Sequence, residues 1–318
     1  MTEQIGSVDI IGDATDGIES PCGLIAAGGD IWFTSIANGR LGRVREYGKD
    51  FRAATFADPR NRIRLPANLF PAADGRLWVT CLGSDALASI DPHAVDPAAS
   101  ITVCSHPDLR GPVAVKAAPT GLLWCTLRGA DAIASLDPRT PDPASTVTLI
   151  RSELIADPSA LFVDPRGRVW WVNATTRTLG RYDPAAPGPV RRFGPWPQYG
   201  APRAWAVGAD GTLWVTTQDA PGLLAVDAAT DPAVRWHTDL LLRTPDGVCA
   251  RPDDSLWIAD TAADAIVRYR PATGSWDRFT ADGIAGPFDI KAGPDPAFLW
   301  FTNKRGDSLG RIRVAEPD

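Results

Sequence analysis

Seven tryptophans recur along this chain at nearly constant intervals, and that repeat constrains the fold more than any other feature. Trp32, Trp78, Trp124, Trp170, Trp214, Trp257 and Trp300 are separated by 46, 46, 46, 44, 43 and 43 residues. Each follows a proline: Pro21, Pro66, Pro112, Pro158, Pro202, Pro245 or Pro287. The proline-to-tryptophan distance is 12 in five repeats, 11 in the first and 13 in the last. A repeat of this length is one supersecondary unit that cannot bury its apolar face alone and must stack on its neighbours.

Each repeat reads as four strands. The segment after the proline, such as Ala160-Leu161-Phe162-Val163, is expected to be the innermost strand. Turn residues such as Asp74-Gly75, Asp210-Gly211 or Pro165-Arg166-Gly167 then reverse the chain. The tryptophan strand follows, for example Leu77-Trp78-Val79-Thr80. It is apolar on both faces, as a strand between two neighbouring sheets must be. A third strand carries Leu41-Gly42-Arg43-Val44, Leu179-Gly180-Arg181-Tyr182, Leu309-Gly310-Arg311-Ile312 and their counterparts. A short outer strand is expected at Ser100–Val103 and Thr146–Leu149. No segment keeps a 3.6-residue period with helix caps, which excludes a helical solenoid. The pattern predicts an all-β, seven-bladed β-propeller with four-stranded blades, a single domain spanning residues 1–318. After Trp300 there is room for only one more strand. Ile5–Ile11 is therefore expected to complete the last blade and close its edge, so that deleting residues 1–12 would destabilise the whole ring.

Composition narrows the partners. The net charge is −6 with no basic block, which argues against nucleic acid and an anionic membrane surface. Met1–Gly12 has neither a positive n-region nor an apolar h-region, so no signal peptide is expected. The five cysteines are odd in number and lack CxxC spacing, which suits free thiols in a reducing compartment. The expectation is a cytoplasmic monomer whose partner is a small molecule.

The repeat Pro-x-Gly-(Ile/Val) … Asp-Gly-x-(Leu/Ile)-Trp-(Phe/Val)-Thr … (Ile/Leu)-Gly-Arg resembles the streptogramin lyase (virginiamycin B lyase) family. Ile31-Trp32-Phe33-Thr34 and Leu299-Trp300-Phe301-Thr302 match it best, and the resemblance covers all seven repeats. It implies a magnesium-dependent lyase that opens a cyclic depsipeptide ester by elimination. The family's histidines directly follow the repeat proline in the last two blades. Its glutamates precede the last-blade proline and follow the last tryptophan strand. This sequence departs from the family at all of those places. It has Asp246 and Phe288 where the histidines belong, Gly286 before the last-blade proline, and Asn303-Lys304 after the last tryptophan strand. A general base must be titratable, and magnesium prefers oxygen ligands. The resemblance therefore supports the scaffold without the family's own chemistry. Pro245-Asp246-Gly247-Val248 also resembles gluconolactonase-type propellers, in which this aspartate binds a divalent metal. The other ligands of that site fall on Cys22 and Arg203.

The residues after the repeat prolines, Cys22, Ala67, Val113, Ser159, Arg203, Asp246 and Phe288, are expected to point into a central funnel. Ser35, Cys81, Leu127, Asn173, Thr217, Asp260 and Asn303 are expected to ring the same face. Asp246, Asp260 and Arg203 are the candidate catalytic residues, and the two aspartates are the candidate metal ligands. No cofactor is prescribed; magnesium or calcium is the ion that such a pair would accept. The alternative for these aspartates is turn capping and loop solvation. Arg203 would either clamp a ligand carboxylate or phosphate or pair with Asp246. Candidate ligand contacts are Cys22, Asn68, Arg128, Ser159, Asn173, Tyr199, Trp205, Phe288, Asn303 and Lys304. Trp196, Tyr199, Trp205 and Phe288 would supply an aromatic wall. The readings open at this point are a diverged lyase or cyclisation enzyme of secondary metabolism, a metal-dependent lactonase or hydrolase using Asp246, and a non-catalytic binding propeller.

Overall fold

In the computed structural model each tryptophan strand is buried along almost its entire length, because sheets cover it on both sides. Leu77–Cys81, Leu123–Leu127, Val169–Asn173 and Leu256–Asp260 are buried at every residue. The structure describes residues 4–47, 50–227 and 233–315. Its strands form seven antiparallel sheets of four, and the fold is a seven-bladed β-propeller. Six sheets are consecutive in sequence. The seventh takes its outer strand from the other end of the chain: Val8–Ile11 pairs antiparallel with Ser308–Arg313, with Val8 opposite Ile312 and Ile11 opposite Leu309. The outer strands of the second and third blades are Thr102–Ser105 and Thr148–Arg151, two residues later than expected. Ser100 and Thr146 belong instead to the preceding turns. Their hydroxyls donate to the carbonyls of Pro97 and Pro143 and accept from the amides of Asp91 and Asp137.

Packing explains the Gly-Arg element of the repeat. Arg181 and Arg268 lie directly across from Trp170 and Trp257, with the guanidinium carbons 5.0 and 5.2 Å from the rings. Where a glycine precedes that arginine, it sits opposite a second aromatic residue. A Cβ on Gly180 would lie 2.1 Å from Trp171, and one on Gly310 would lie 2.0 Å from Phe301. Where the residue after the tryptophan is smaller, as at Val79, Cys125 and Ile258, its partner is Ala88, Ala134 or Val267. Glycine is therefore the partner that a cross-strand aromatic ring demands.

The chain divides into two compact units. One comprises Met1–Phe33, Gly42–Ala54 and Trp196–Asp318; the other comprises Thr34–Leu41 and Thr55–Pro195. In the first unit, Ile11, Ile18, Leu24, Phe33, Trp300 and Leu309 form one core cluster, and Trp214, Leu242, Val248, Ile258 and Tyr269 belong to another. In the second unit, Trp78, Leu109, Val115 and Leu127 pack together, as do Trp124, Ile155, Leu161 and Trp171.

Within each unit, hydroxyls and carboxylates fix where each inner strand begins. Thr216 Oγ1 accepts from the Ala204 amide at 3.0 Å and donates to the Asp246 carbonyl of the next blade at 2.7 Å. Thr302 does the same between Asp289 N and the Cys22 carbonyl, both at 2.9 Å. In the second unit Thr80 links Asn68 N to the Val113 carbonyl at 3.0 and 2.9 Å. Aspartates in the left-handed region add a second tie. Asp264 accepts from Gly286 N at 2.6 Å and Asp307 from Ser20 N at 2.7 Å, each directly before a repeat proline. The residue after that proline is thus held from both sides.

Candidate functional site

The inner strands do not run straight into their neighbours. In the sixth blade Pro245 pairs with Asp260, but the ladder resumes with Val248 opposite Ile258, so Asp246 and Gly247 oppose the single residue Ala259. The same shift separates Pro202 from Trp205 and Pro287 from Ile290. This extra residue is a β-bulge, which bends the strand and re-aims the side chains within it. Arg203, Asp246 and Phe288 each occupy such a bulge, directly after the proline.

In the first unit these bulges bring one cluster together. Arg203 Nε donates to Asp246 Oδ1 at 2.8 Å, and Gln218 Nε2 donates to the same oxygen at 3.0 Å. Thr261 Oγ1 lies 2.6 Å from Asp246 Oδ2 and 2.6 Å from the Pro287 carbonyl, so its single proton is shared between two acceptors. The Asp246 side chain is only 6% exposed, whereas that of Arg203 is 42% exposed. The Arg203 guanidinium lies 5.4 Å from the centroid of the Phe288 ring, and Lys304 Nζ lies 4.2 Å from the same centroid. Gly247 completes the local geometry: a Cβ there would lie 2.7 Å from the Phe288 carbonyl oxygen. The Pro-Asp-Gly segment therefore records close approach of the next inner strand.

Cys22 stands beside this cluster and is buried. Burial pushes its thiol up to about 11; Lys304 and Arg203 oppose the shift, and Asp289 and Asp246 add to it. At neutral pH it is a thiol and not a thiolate nucleophile.

The last residues of the tryptophan strands behave differently. Asp260, Asn173 and Asn303 are fully buried and clamp the loops that lead into the inner strands. Asp260 Oδ2 and Oδ1 accept from the amides of Arg243 and Thr244, both at 2.7 Å. Burial pushes the Asp260 carboxyl above the ordinary carboxylate range, against the pull of these amides. Asn303 accepts from Ala285 N at 2.6 Å and donates to the Gly283 carbonyl and Ser308 Oγ, both at 2.8 Å. Asn173 repeats this with Ala156 N, the Leu154 carbonyl and Thr178 Oγ1. The choice between acid and amide follows the groups each side chain faces: Asp260 meets two amide donors, whereas each asparagine meets one amide donor and one carbonyl acceptor. Asparagine stands opposite Thr178 and Ser308, which take its N–H, and aspartate stands opposite Ala265, which cannot.

Of the remaining candidates, Tyr199 and Trp205 belong to the first unit and Asn68, Arg128 and Ser159 to the second. Tyr199 stacks on Trp236 of the outer strand Val234–His237, with ring centroids 5.5 Å apart. Trp205 is half-buried in the fifth inner strand, opposite Val215. Asn68 gives its Oδ1 to Val115 N, Arg128 pairs with Asp157, and Ser159 is buried at the start of its strand. Gln218 and Thr261 are the residues that sequence reasoning missed. They follow Thr217 and Asp260 by one position. The strand-end residue pairs with or next to the repeat proline and is buried, and the next one emerges beside the bulge. A concavity of about 570 Å3 in the same unit is lined by Pro221, Thr238, Asp239, Leu240, Leu242 and Arg243, and none of the clustered residues lines it.

The donor set can be tested against a divalent ion. Among the described residues no group of three or more His, Cys, Asp or Glu converges. Asp246 already accepts from Arg203, Gln218 and Thr261, and the nearest charged neighbours across Phe288 are cations. Magnesium and calcium need several hard oxygen ligands and would be repelled by Arg203 and Lys304. These residues do not fit such an ion.

No protein-family profile matches the chain, and no curated protein sequence matches it. Solved structures do match in fold. A streptogramin B lyase aligns with a TM-score of 0.81 at 17% identity, covering 97% of this chain and 98% of the other. A catalytically inactive virginiamycin B lyase from Staphylococcus aureus with quinupristin aligns with a TM-score of 0.80 at 17% identity, over 97% and 99% of the two chains. A putative 6-phosphogluconolactonase from Bacteroides uniformis aligns with a TM-score of 0.64 at 14% identity, over 87% and 95%. At these identities the likeness is one of fold.

Proposed function

We propose that this chain binds a small organic molecule on the face formed by Arg203, Asp246, Phe288 and Lys304, and that it does so without a divalent metal on Asp246. The observation that carries the reading is the use of the Asp246 carboxylate. It is buried and accepts hydrogen bonds from Arg203, Gln218 and Thr261, which makes it a group that orients an arginine. A guanidinium held this way is preorganised for a ligand, because its position is already fixed before binding. The metal-dependent lactonase reading loses its support at the same residue.

A second reading places a diverged lyase or cyclisation reaction of secondary metabolism on the same face. The fold likeness to streptogramin B lyase supports it. None of the three histidines is a repeat-proline neighbour, and the charged groups on that face are Asp246, Arg203 and Lys304. A library screen by thermal shift, run on the wild type and on Arg203→Ala and Phe288→Ala, tests the shared claim. Stabilising compounds should lose their effect in both variants. Compounds that act equally on all three proteins, and lose their effect only in Leu240→Asp, would place binding at the 570 Å3 concavity instead.

A further inference from the structure

Two cations share one aromatic ring at this face, and the hydrogen bonds they leave unmade point to the ligand. Arg203 uses only Nε, on Asp246 Oδ1; its terminal nitrogens make no hydrogen bond with any described residue. Lys304 makes no side-chain hydrogen bond or ion pair with any described residue, and its Nζ rests over Phe288 at 4.2 Å from the ring centroid. Because Arg203 approaches the same centroid to 5.4 Å, the two cations lie within about 10 Å of one another, about one Debye length at 0.1 M salt.

The local charge balance is positive in a chain whose net charge is −6. Asp246 neutralises Arg203, and Asp289 pairs with Lys291. Lys304 remains as surplus. We infer that the ligand of this face carries a carboxylate, received by the Lys304 ammonium and the free edge of the Arg203 guanidinium, with its apolar part against Phe288 and Cys22. A carboxylate suits the planar fork of an arginine and brings the single negative charge that Lys304 leaves unbalanced. A phosphate dianion would exceed that balance. Asp246 acts here as a positioning residue, and Gln218 and Thr261 hold it in turn.

This inference rests on the proposed small-molecule reading, and one experiment separates the two. Ligand-observed NMR titrations with benzoate, benzamide and inorganic phosphate are run on the intact protein. Benzoate should bind, benzamide should bind at least tenfold more weakly, and phosphate should not compete. Lys304→Gln and Arg203→Ala should each weaken benzoate about tenfold, the loss expected for one charge-assisted hydrogen bond, while Arg270→Ala, opposite Ser275 of the sixth blade's outer strand, leaves it unchanged. Lys304→Gln keeps the length of a partly exposed side chain, and an unchanged near-ultraviolet circular dichroism spectrum shows that it folds. Equal binding of benzamide and benzoate, lost in Phe288→Ala, would overturn the carboxylate and leave the small-molecule reading standing. Phosphate displacing benzoate would also overturn it. No binding by any of the three probes would overturn both.

Discussion

Two buried aspartates sit at the same end of one strand pair in the sixth blade, and the structure assigns them opposite sensitivities. Asp260→Ala removes the acceptor of two loop amides, Arg243 N and Thr244 N, from a site with no exposed surface. Each orphaned buried donor costs about 1–3 kcal/mol, giving a loss of about 2–6 kcal/mol for the two. The raised carboxyl pKa means that deletion also relieves some desolvation, which favours the lower half of that range. Asp246→Ala removes three hydrogen bonds, yet its donors have alternatives. Thr261 keeps the Pro287 carbonyl, and Arg203 is 42% exposed and reaches water. Its cost should be about 1 kcal/mol, closer to that of a surface pair than of a buried one. Urea denaturation followed by tryptophan fluorescence measures both, and Asp260→Ala should have clearly the lower midpoint. Asp260→Asn should not recover it, because its one oxygen can accept from only one of the two amides and its NH2 would face the other donor. If Asp246→Ala proved the more destabilising, or Asp260→Asn restored stability, the division between loop clamp and ligand face would be wrong.

Other expectations follow from packing and charge. Gly180→Ala should cost at least the 1–3 kcal/mol typical of overpacking, since its Cβ would lie 2.1 Å from Trp171; adding Trp171→Val should return part of that loss in the same denaturation assay. The Arg62 side chain, reinforced by its amide, lowers the buried Asp58 carboxyl to about 2. This pair therefore stabilises the fold by about 2 kcal/mol above pH 4, and that contribution disappears as pH falls through 2. Arg62→Ala should flatten this part of the pH–stability curve, and an unchanged curve would refute the assignment.

Much of the fold was legible because its cause is periodic. The tryptophan spacing, the repeat prolines and the short seventh repeat indicate the blades and the closing strand, expected over Ile5–Ile11 and found at Val8–Ile11. The Gly-Arg motif was visible too, although its reason, an aromatic ring across the strand, needed the register. The site was less legible. Arg203, Asp246, Phe288 and Lys304 can be picked out by position, but sequence does not say that a bulge turns them together. Nor does it distinguish Asp260 from Thr261, adjacent residues of which one is buried against a loop and the other bonds Asp246. Tyr199 reads from sequence as part of an aromatic wall, and only the fold supplies Trp236 as its stacking partner.

The role of Asp246 is the centre of this account, and calorimetric titration with magnesium and with calcium tests it most directly. Wild type and Asp246→Ala should both show only heats of dilution, because the carboxylate is committed to Arg203, Gln218 and Thr261. Saturable binding in the wild type that disappears in Asp246→Ala would contradict the account and make Asp246 a metal ligand.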